Sequence, residues 1–181
     1  MRITKAAPGQ FREVRAFYHS LIDALEGKPY HPMWEKDIYP APDQLRRAVE
    51  GQTLYLGYDG DRIAAAMVLD HQSNEAYGTV SWPEKLEPEK YLVIHMLGVH
   101  GDFAGRGYAR ELVGFAVDRA RSLGMKAVRL DVLEGNLPAE RLYEGFGFSY
   151  VDTVPMFYED TGWTAFKLYE YRLGEQGEEK P

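Results

Sequence analysis

Cysteine is absent from the 181 residues, which removes disulfides, thiolate metal sites and a cysteine nucleophile, and is compatible with a reducing compartment. No stretch approaches the apolar length needed to cross a bilayer, and Met1-Arg2-Ile3-Thr4-Lys5 lacks the apolar core of a signal peptide. The expectation is a cytoplasmic protein with no membrane partner. No run of Lys and Arg forms a basic patch, and a formal net charge of −7 repels nucleic acid at long range, so no nucleic-acid partner is expected. The same negative field favours a cationic acceptor such as an amine.

What is present is ordinary globular material: 45% hydrophobic and 27% charged residues. The length suits one domain, expected over 1–173, with 174–181 (Gly-Glu-Gln-Gly-Glu-Glu-Lys-Pro) as a disordered tail. Phe11, Val14, Tyr18, Leu21, Ile22 and Leu25 recur at helical spacing, which predicts a helix over 9–26 after a short first strand, ended by Gly27. Prolines and aromatics over 28–41 predict an irregular loop, and Pro42-Asp43 opens a second helix closed by Gly51. Two strands, 52–58 and 62–69, flank an Asp59-Gly60-Asp61 hairpin turn. Residues 71–90 hold no steady period and read as a long excursion, a candidate lid over an acceptor. A nearly continuous apolar run, 91–99, predicts a strand buried on both faces; a helix from Ala109 to Leu123 and a strand at 126–132 then complete a βαβ crossover. A short helix at 137–145 and strands near 147–157 and 163–172 finish a mixed α/β layout.

The stretch from Leu97 to Arg110 carries the chemistry: a buried strand runs through Gly105 and Gly107 into a helix N-terminus. The first N–H groups of a helix lack internal partners and sit at the positive end of its dipole, and glycines let the main chain approach a phosphate closely. The dipole contributes only about 0.3–1 kcal/mol at an exposed site, so direct N–H contacts, with Arg106 or Arg110, must supply most of the affinity. A dinucleotide-binding Gly-x-Gly-x-x-Gly fails at its third position, which is Arg110, and no Gly-Lys-Ser or Gly-Lys-Thr of a Walker loop exists.

This loop resembles the acyl-coenzyme A loop of the GNAT superfamily of N-acetyltransferases, whose pattern is Gln or Arg, two residues, Gly, one residue, then Gly or Ala. Gly107 and Ala109 match the last two positions, and Ala104 departs from the first. A second stretch, Asn136-Leu137-Pro138-Ala139-Glu140-Arg141-Leu142-Tyr143-Glu144-Gly145-Phe146-Gly147-Phe148, resembles the family's Asn, Ala, Leu-Tyr, Gly-Phe signature near the cofactor thiol. The resemblance implies a GNAT-like mixed central sheet of about six to seven strands flanked by about four helices. It also implies acetyl-CoA as cosubstrate, without a metal, and a primary amine of a small molecule or peptide as acceptor. A homodimer is compatible with it.

Residue by residue, the resemblance implies that Gly105, Arg106, Gly107, Tyr108, Ala109 and Arg110 hold the phosphates. The backbones of Leu97 and Val99 run along the pantetheine, with the Val99 N–H as oxyanion donor, and Asn136 bonds the pantetheine arm. Tyr143 is the general acid facing the thiol, and its plainer alternative is an aromatic packed beside Phe146 and Phe148. A lysine-like amine loses its proton at neutral pH at a cost of about 4.6 kcal/mol, which a base or a water chain helps to meet. His95 is the preferred one, placed by strand alternation on the face of Leu97 and Val99; the alternative is a buried histidine satisfied by backbone. Glu75 and Glu84 are the reserve bases. Tyr30, His31, Trp34, Tyr39, Tyr77 and Trp82 form a group of candidate acceptor-pocket aromatics. A non-catalytic acyl-CoA-binding module and a nucleotide-dependent oxidoreductase are the competing functions.

Overall fold

In the computed structural model, which describes residues 1–30 and 32–174, seven strands form one mixed sheet in the order β1-β2-β3-β4-β5-β7-β6. The strands are β1 (Arg2–Lys5), β2 (Leu54–Asp59), β3 (Arg62–Asp70), β4 (Tyr91–Val99), β5 (Ala127–Leu133), β6 (Ser149–Tyr158) and β7 (Gly162–Arg172). The helices are α1 (Phe11–Leu25), α2 (Pro42–Glu50), α3 (Tyr108–Ser122) and α4 (Leu137–Phe146). The expected tail beyond Gly174 lies outside the described residues.

Local chemistry sets the element ends. Pro42 occupies the first turn of α2, where its missing N–H costs nothing, and the Gln44 side chain accepts the Ala41 N–H at 2.9 Å. The β2–β3 hairpin turns at Gly60 (φ +58°), with Asp59 paired to Arg62. Helix α1 buries Val14, Phe17, Tyr18 and Leu21 against one face of the sheet, with Leu45, Ala48 and Val49 of α2 beside them. On the opposite face α3 buries Leu112, Val113, Ala116, Val117 and Ala120 against alternate residues of β4 and β5.

The excursion at 71–90 contains two short 3₁₀ turns, Glu75–Thr79 and Pro88–Lys90. It folds back as part of a third core cluster, with Tyr77 and Val80 packed on Tyr91, Val93 and Phe166. Trp82 donates to the Tyr77 carbonyl at 2.8 Å, and its ring covers the Arg129 guanidinium, which is paired with buried Glu170 at 2.8 Å. The segment is thus packed into the core, which does not fit the lid expected from its irregular sequence.

Strands β4 and β5 are parallel over only three residue pairs, Tyr91↔Ala127, Leu92↔Val128 and Val93↔Arg129. Beyond Val93 they part, while β4 stays attached to β3 and β5 to β7. The consequence is a gap in the middle of the sheet, at the C-terminal ends of its two central strands, where open α/β sheets present their ligand sites.

Candidate functional site

The gap opens into a cavity of about 450 Å³ lined from both sides of the split. Ile94 to Val99 of β4 form one wall, Asp131 to Leu133 of β5 the other, and Asn136, Leu142 and Tyr143 close one end. The opposite end is aromatic and comes from the loop at 26–41 and the β6–β7 hairpin: Tyr30, Trp34, Tyr39 and Tyr158, with Asp160. Of the aromatics grouped from sequence, Tyr30, Trp34 and Tyr39 line the cavity, Tyr77 and Trp82 pack in the third core cluster, and His31 lies outside the described residues.

A β-bulge shapes the β4 wall. Ala66 faces Gly98 but Val68 faces His95, so Met96 and Leu97 together oppose one residue of β3, and Met96 takes φ +52°. Tyr18, buried on α1, donates its hydroxyl to the Met96 carbonyl at 2.8 Å and holds the bulge. The extra residue inverts the alternation. Ile94, Leu97 and Val99 pack on the α3 side, whereas His95 turns to the other face, toward Asp70 and Asp131. The expectation that His95 shares a face with Leu97 and Val99 is therefore corrected: strict period-two reading fails across a bulge.

The same register orients the backbone. His100 donates to the Ala64 carbonyl at 2.9 Å, so the adjacent antiparallel pair, Val99↔Ala65, is the one that exchanges no hydrogen bonds across β3. The Val99 N–H and C=O consequently face the opposite edge, into the gap that β5 has left. Leu97, two residues earlier, presents the same edge.

Past β4 the chain makes a 3₁₀ turn, Gly101–Phe103, and reaches α3 through Gly105 (φ +76°) and Gly107 (φ +80°). Both glycines hold left-handed backbone that a side chain would strain, and a Cβ on either would meet no atom within 4 Å. Their requirement lies in conformation and in the open space above them. The first intrahelical bond of α3 is Glu111 N–H to Gly107 C=O at 3.0 Å, which leaves the N–H groups of Tyr108, Ala109 and Arg110 without helical acceptors. The side chains of the loop turn elsewhere: Arg106 and the Tyr108 hydroxyl both bind Asp59 Oδ2, at 2.6 and 2.7 Å, and Arg110 donates to the Gly145 carbonyl at 3.0 Å over the Phe146 ring. An exposed pair such as Arg106–Asp59 contributes little to stability, so the guanidinium can be recruited.

His95 Nε2 lies 3.0 Å from the Gln72 carbonyl and 3.3 Å from Asp70 Oδ1. Both partners only accept, so Nε2 carries the proton and Nδ1 keeps the basic lone pair. Burial works to lower the pKa of His95, but the Asp70 hydrogen bond and charge, with Asp131 and the Gln72 carbonyl, outweigh it and raise it. The ring is thus both backbone-satisfied and cavity-lining; the two sequence-based alternatives coexist.

Tyr143 is buried, with its ring 5.6 Å from that of Phe148, and it lines the cavity. Burial, then the charge of Asp131, pushes its phenol above the ordinary value, so it stays protonated. Asn136 stands at the N-cap of α4 but makes no side-chain capping bond, which leaves its amide for the cavity. Glu75 and Glu84 do not line the cavity: Glu75 opens a 3₁₀ turn, and Glu84 accepts from Arg172 and, through its carbonyl, from Arg129.

Two carboxylates that do line it, Asp131 and Asp160, were missed in the sequence. Asp131 accepts the Tyr77 hydroxyl on Oδ2 at 2.9 Å and the Tyr158 hydroxyl on Oδ1 at 3.1 Å. Burial pushes this carboxyl up, and His95 and the two phenols pull it back in part. A signal existed, since Asp131 is a carboxylate set between Leu130 and Val132 within the strand expected at 126–132.

A mixed seven-stranded sheet flanked by four helices, with a glycine-turned helix N-terminus beside its gap, is the layout that the resemblance implied, and sequence comparison defines the class. Residues 15–148 match the model of the acetyltransferase (GNAT) family, and the chain belongs to that family. The mycothiol acetyltransferase of Geodermatophilus obscurus is 32% identical over 123 residues, 66% of this chain and 36% of that protein. This chain spans under half the length of each curated relative it matches. A GNAT-family acetyltransferase from Streptococcus agalactiae shares the fold with a TM-score of 0.79 at 16% identity, over 96% of both chains. Arabidopsis thaliana NAA60, solved in complex with acetyl-CoA, does so with a TM-score of 0.66 at 17% identity, over 95% of this chain and 99% of its own. Among the described residues no helix is long and apolar enough to cross a membrane.

Proposed function

We propose that residues 1–173 form one N-acetyltransferase domain that transfers acetyl from acetyl-CoA to a primary amine of a small molecule or peptide. The observation that carries this reading is the β4–β5 gap, where a free backbone edge at Val99, the Asn136 amide, the Tyr143 hydroxyl and the N-terminus of α3 border one cavity. The fit to acetyl-CoA is chemical. Unpaired N–H groups of Tyr108, Ala109 and Arg110 beyond two left-handed glycines suit a pyrophosphate, and Arg106 and Arg110 stand beside them. An unpaired strand edge at Leu97 and Val99 suits the amides of a pantetheine arm, as in strand addition, and Asn136 faces the same arm. A bound acetyl-CoA supplies the activated acyl group.

The chain's own residues then divide the work. His95 Nδ1 receives the proton that the amine loses as its nitrogen bonds the acyl carbon. The Val99 N–H donates to the oxygen of the tetrahedral intermediate. Tyr143 gives its proton to sulfur as the carbon–sulfur bond breaks, and its phenolate regains one from solvent. Calorimetric titration with acetyl-CoA, with a nicotinamide dinucleotide as control, tests the reading. Selective acetyl-CoA binding followed by amine-dependent release of free CoA supports it. Binding without turnover across a broad amine panel leaves a non-catalytic acyl-CoA module, and no binding overturns the proposal.

A further inference from the structure

The aromatic end of the cavity carries a charge pattern that the transfer chemistry does not use. Asp131 lies deep between β4 and β5 yet is only half-buried, because its remaining surface faces the cavity. Each of its oxygens accepts one phenol, so each keeps a second acceptor site. Asp160 lines the same end, and its Oδ1 has no hydrogen-bond partner among the described residues. Around them stand the rings of Trp34, Tyr39 and Tyr158, with Trp34 to Tyr39 at 6.1 Å and Tyr39 to Tyr158 at 5.3 Å. No Lys or Arg among the described residues lines the cavity.

His95 is the one basic side chain among the described lining residues, and it is paired with Asp70; the carboxylates of Asp131 and Asp160 among aromatic faces therefore attract an ammonium and repel a carboxylate. The reacting amine must be neutral to attack, and His95 is already paired with Asp70, so the charge of Asp131 and Asp160 is left for a different group on the acceptor. We propose that the acceptor carries a second, non-reacting ammonium, as a diamine does, and that Asp131 is the residue that recognises it. This rests on the acetyl-transfer reading for the reacting end only. Amino acids with a free carboxylate at the distal end are the class the cavity disfavours.

The test compares diaminobutane, butylamine and aminobutyrate, and the corresponding six-carbon set, at one pH where their amines are protonated to the same extent. Both calorimetric binding and kcat/KM with acetyl-CoA are measured. The diamine is expected to exceed the monoamine by at least about tenfold, with the aminocarboxylate poorest, since a desolvated cation among aromatic and anionic partners gains at least that much. In Asp131→Asn the diamine-to-monoamine ratio falls toward unity; should that variant fail to fold, the wild-type panel decides alone. Equal values for diamine and monoamine, or preference for the aminocarboxylate, overturn the inference and leave acetyl transfer standing. A diamine that binds selectively and is never acetylated supports the ammonium site and removes the proposed function.

Discussion

Replacing Tyr18 by phenylalanine isolates one hydroxyl and asks what keeps the β4 bulge in place. The ring stays buried on α1, and the loss is the 2.8 Å hydrogen bond to the Met96 carbonyl. Leaving a buried acceptor unpaired costs about 1–3 kcal/mol, and because Met96 is half-buried and water can reach part of the way, the lower half, about 1–2 kcal/mol, is expected. For a chain of this length each kcal/mol lowers Tm by roughly 2–4 °C, so calorimetry should record a drop of about 2–8 °C. The second readout is turnover. A bulge that slips by one residue carries His95 to the α3 face, away from Asp70 and Asp131, so kcat should fall by more than the small stability loss explains. A stability change under about 0.5 kcal/mol together with unchanged kcat would refute the pinning role and show that the register is held by strand pairing alone.

Four further outcomes follow from the same geometry. Tyr143→Phe should lower kcat by about 10²–10⁴-fold with little change in acetyl-CoA affinity; an unchanged kcat removes Tyr143 from the acid role. His95 has a pKa raised above 6.5 in the folded protein and works as a base only when neutral, so kcat/KM should fall as pH drops through that raised value, and His95→Ala should flatten this acidic limb. By linkage, the stability contributed by the charged His95–Asp70 pair is full below about 6.5 and lost as pH rises through the folded value, so Asp70→Asn should destabilise at acidic pH more than at alkaline pH in urea melts. Gly107→Val forces a β-branched residue into φ +80° and fills the open space over the helix N-terminus, so calorimetry should detect no acetyl-CoA binding; retained affinity sinks the phosphate cradle.

Much of the layout was written in local signals. The apolar run of β4, the Gly60 turn, and the glycines flanking α3 each follow from short-range chemistry, and all elements appear within a few residues of their expected positions. The excursion at 71–90 misled because its order comes from partners far along the chain: Tyr77 bonds Asp131, and Trp82 stacks on Arg129. His95 misled for a different reason. Met96 takes its positive φ without being glycine, held by Tyr18 from a helix 78 residues away, and no local pattern announces it. The family motifs find the end of the cavity bordered by Asn136, Tyr143 and α3, whereas the aromatic end is assembled from the loop at 26–41 and the β6–β7 hairpin, which no single stretch of sequence joins.

The three-pair junction between β4 and β5 makes the sheet two panels stitched by a short seam. Amide protons at the seam should exchange with solvent sooner than those of β3 or β7, whose ladders run nearly their full length. A ligand that hydrogen-bonds along the unpaired stretch of β4 would act as a clasp between the panels. At a hundredfold excess over its Kd it stabilises the fold by about 2.7 kcal/mol, and the slowing of exchange should concentrate at the seam and the strands beside it rather than spread evenly.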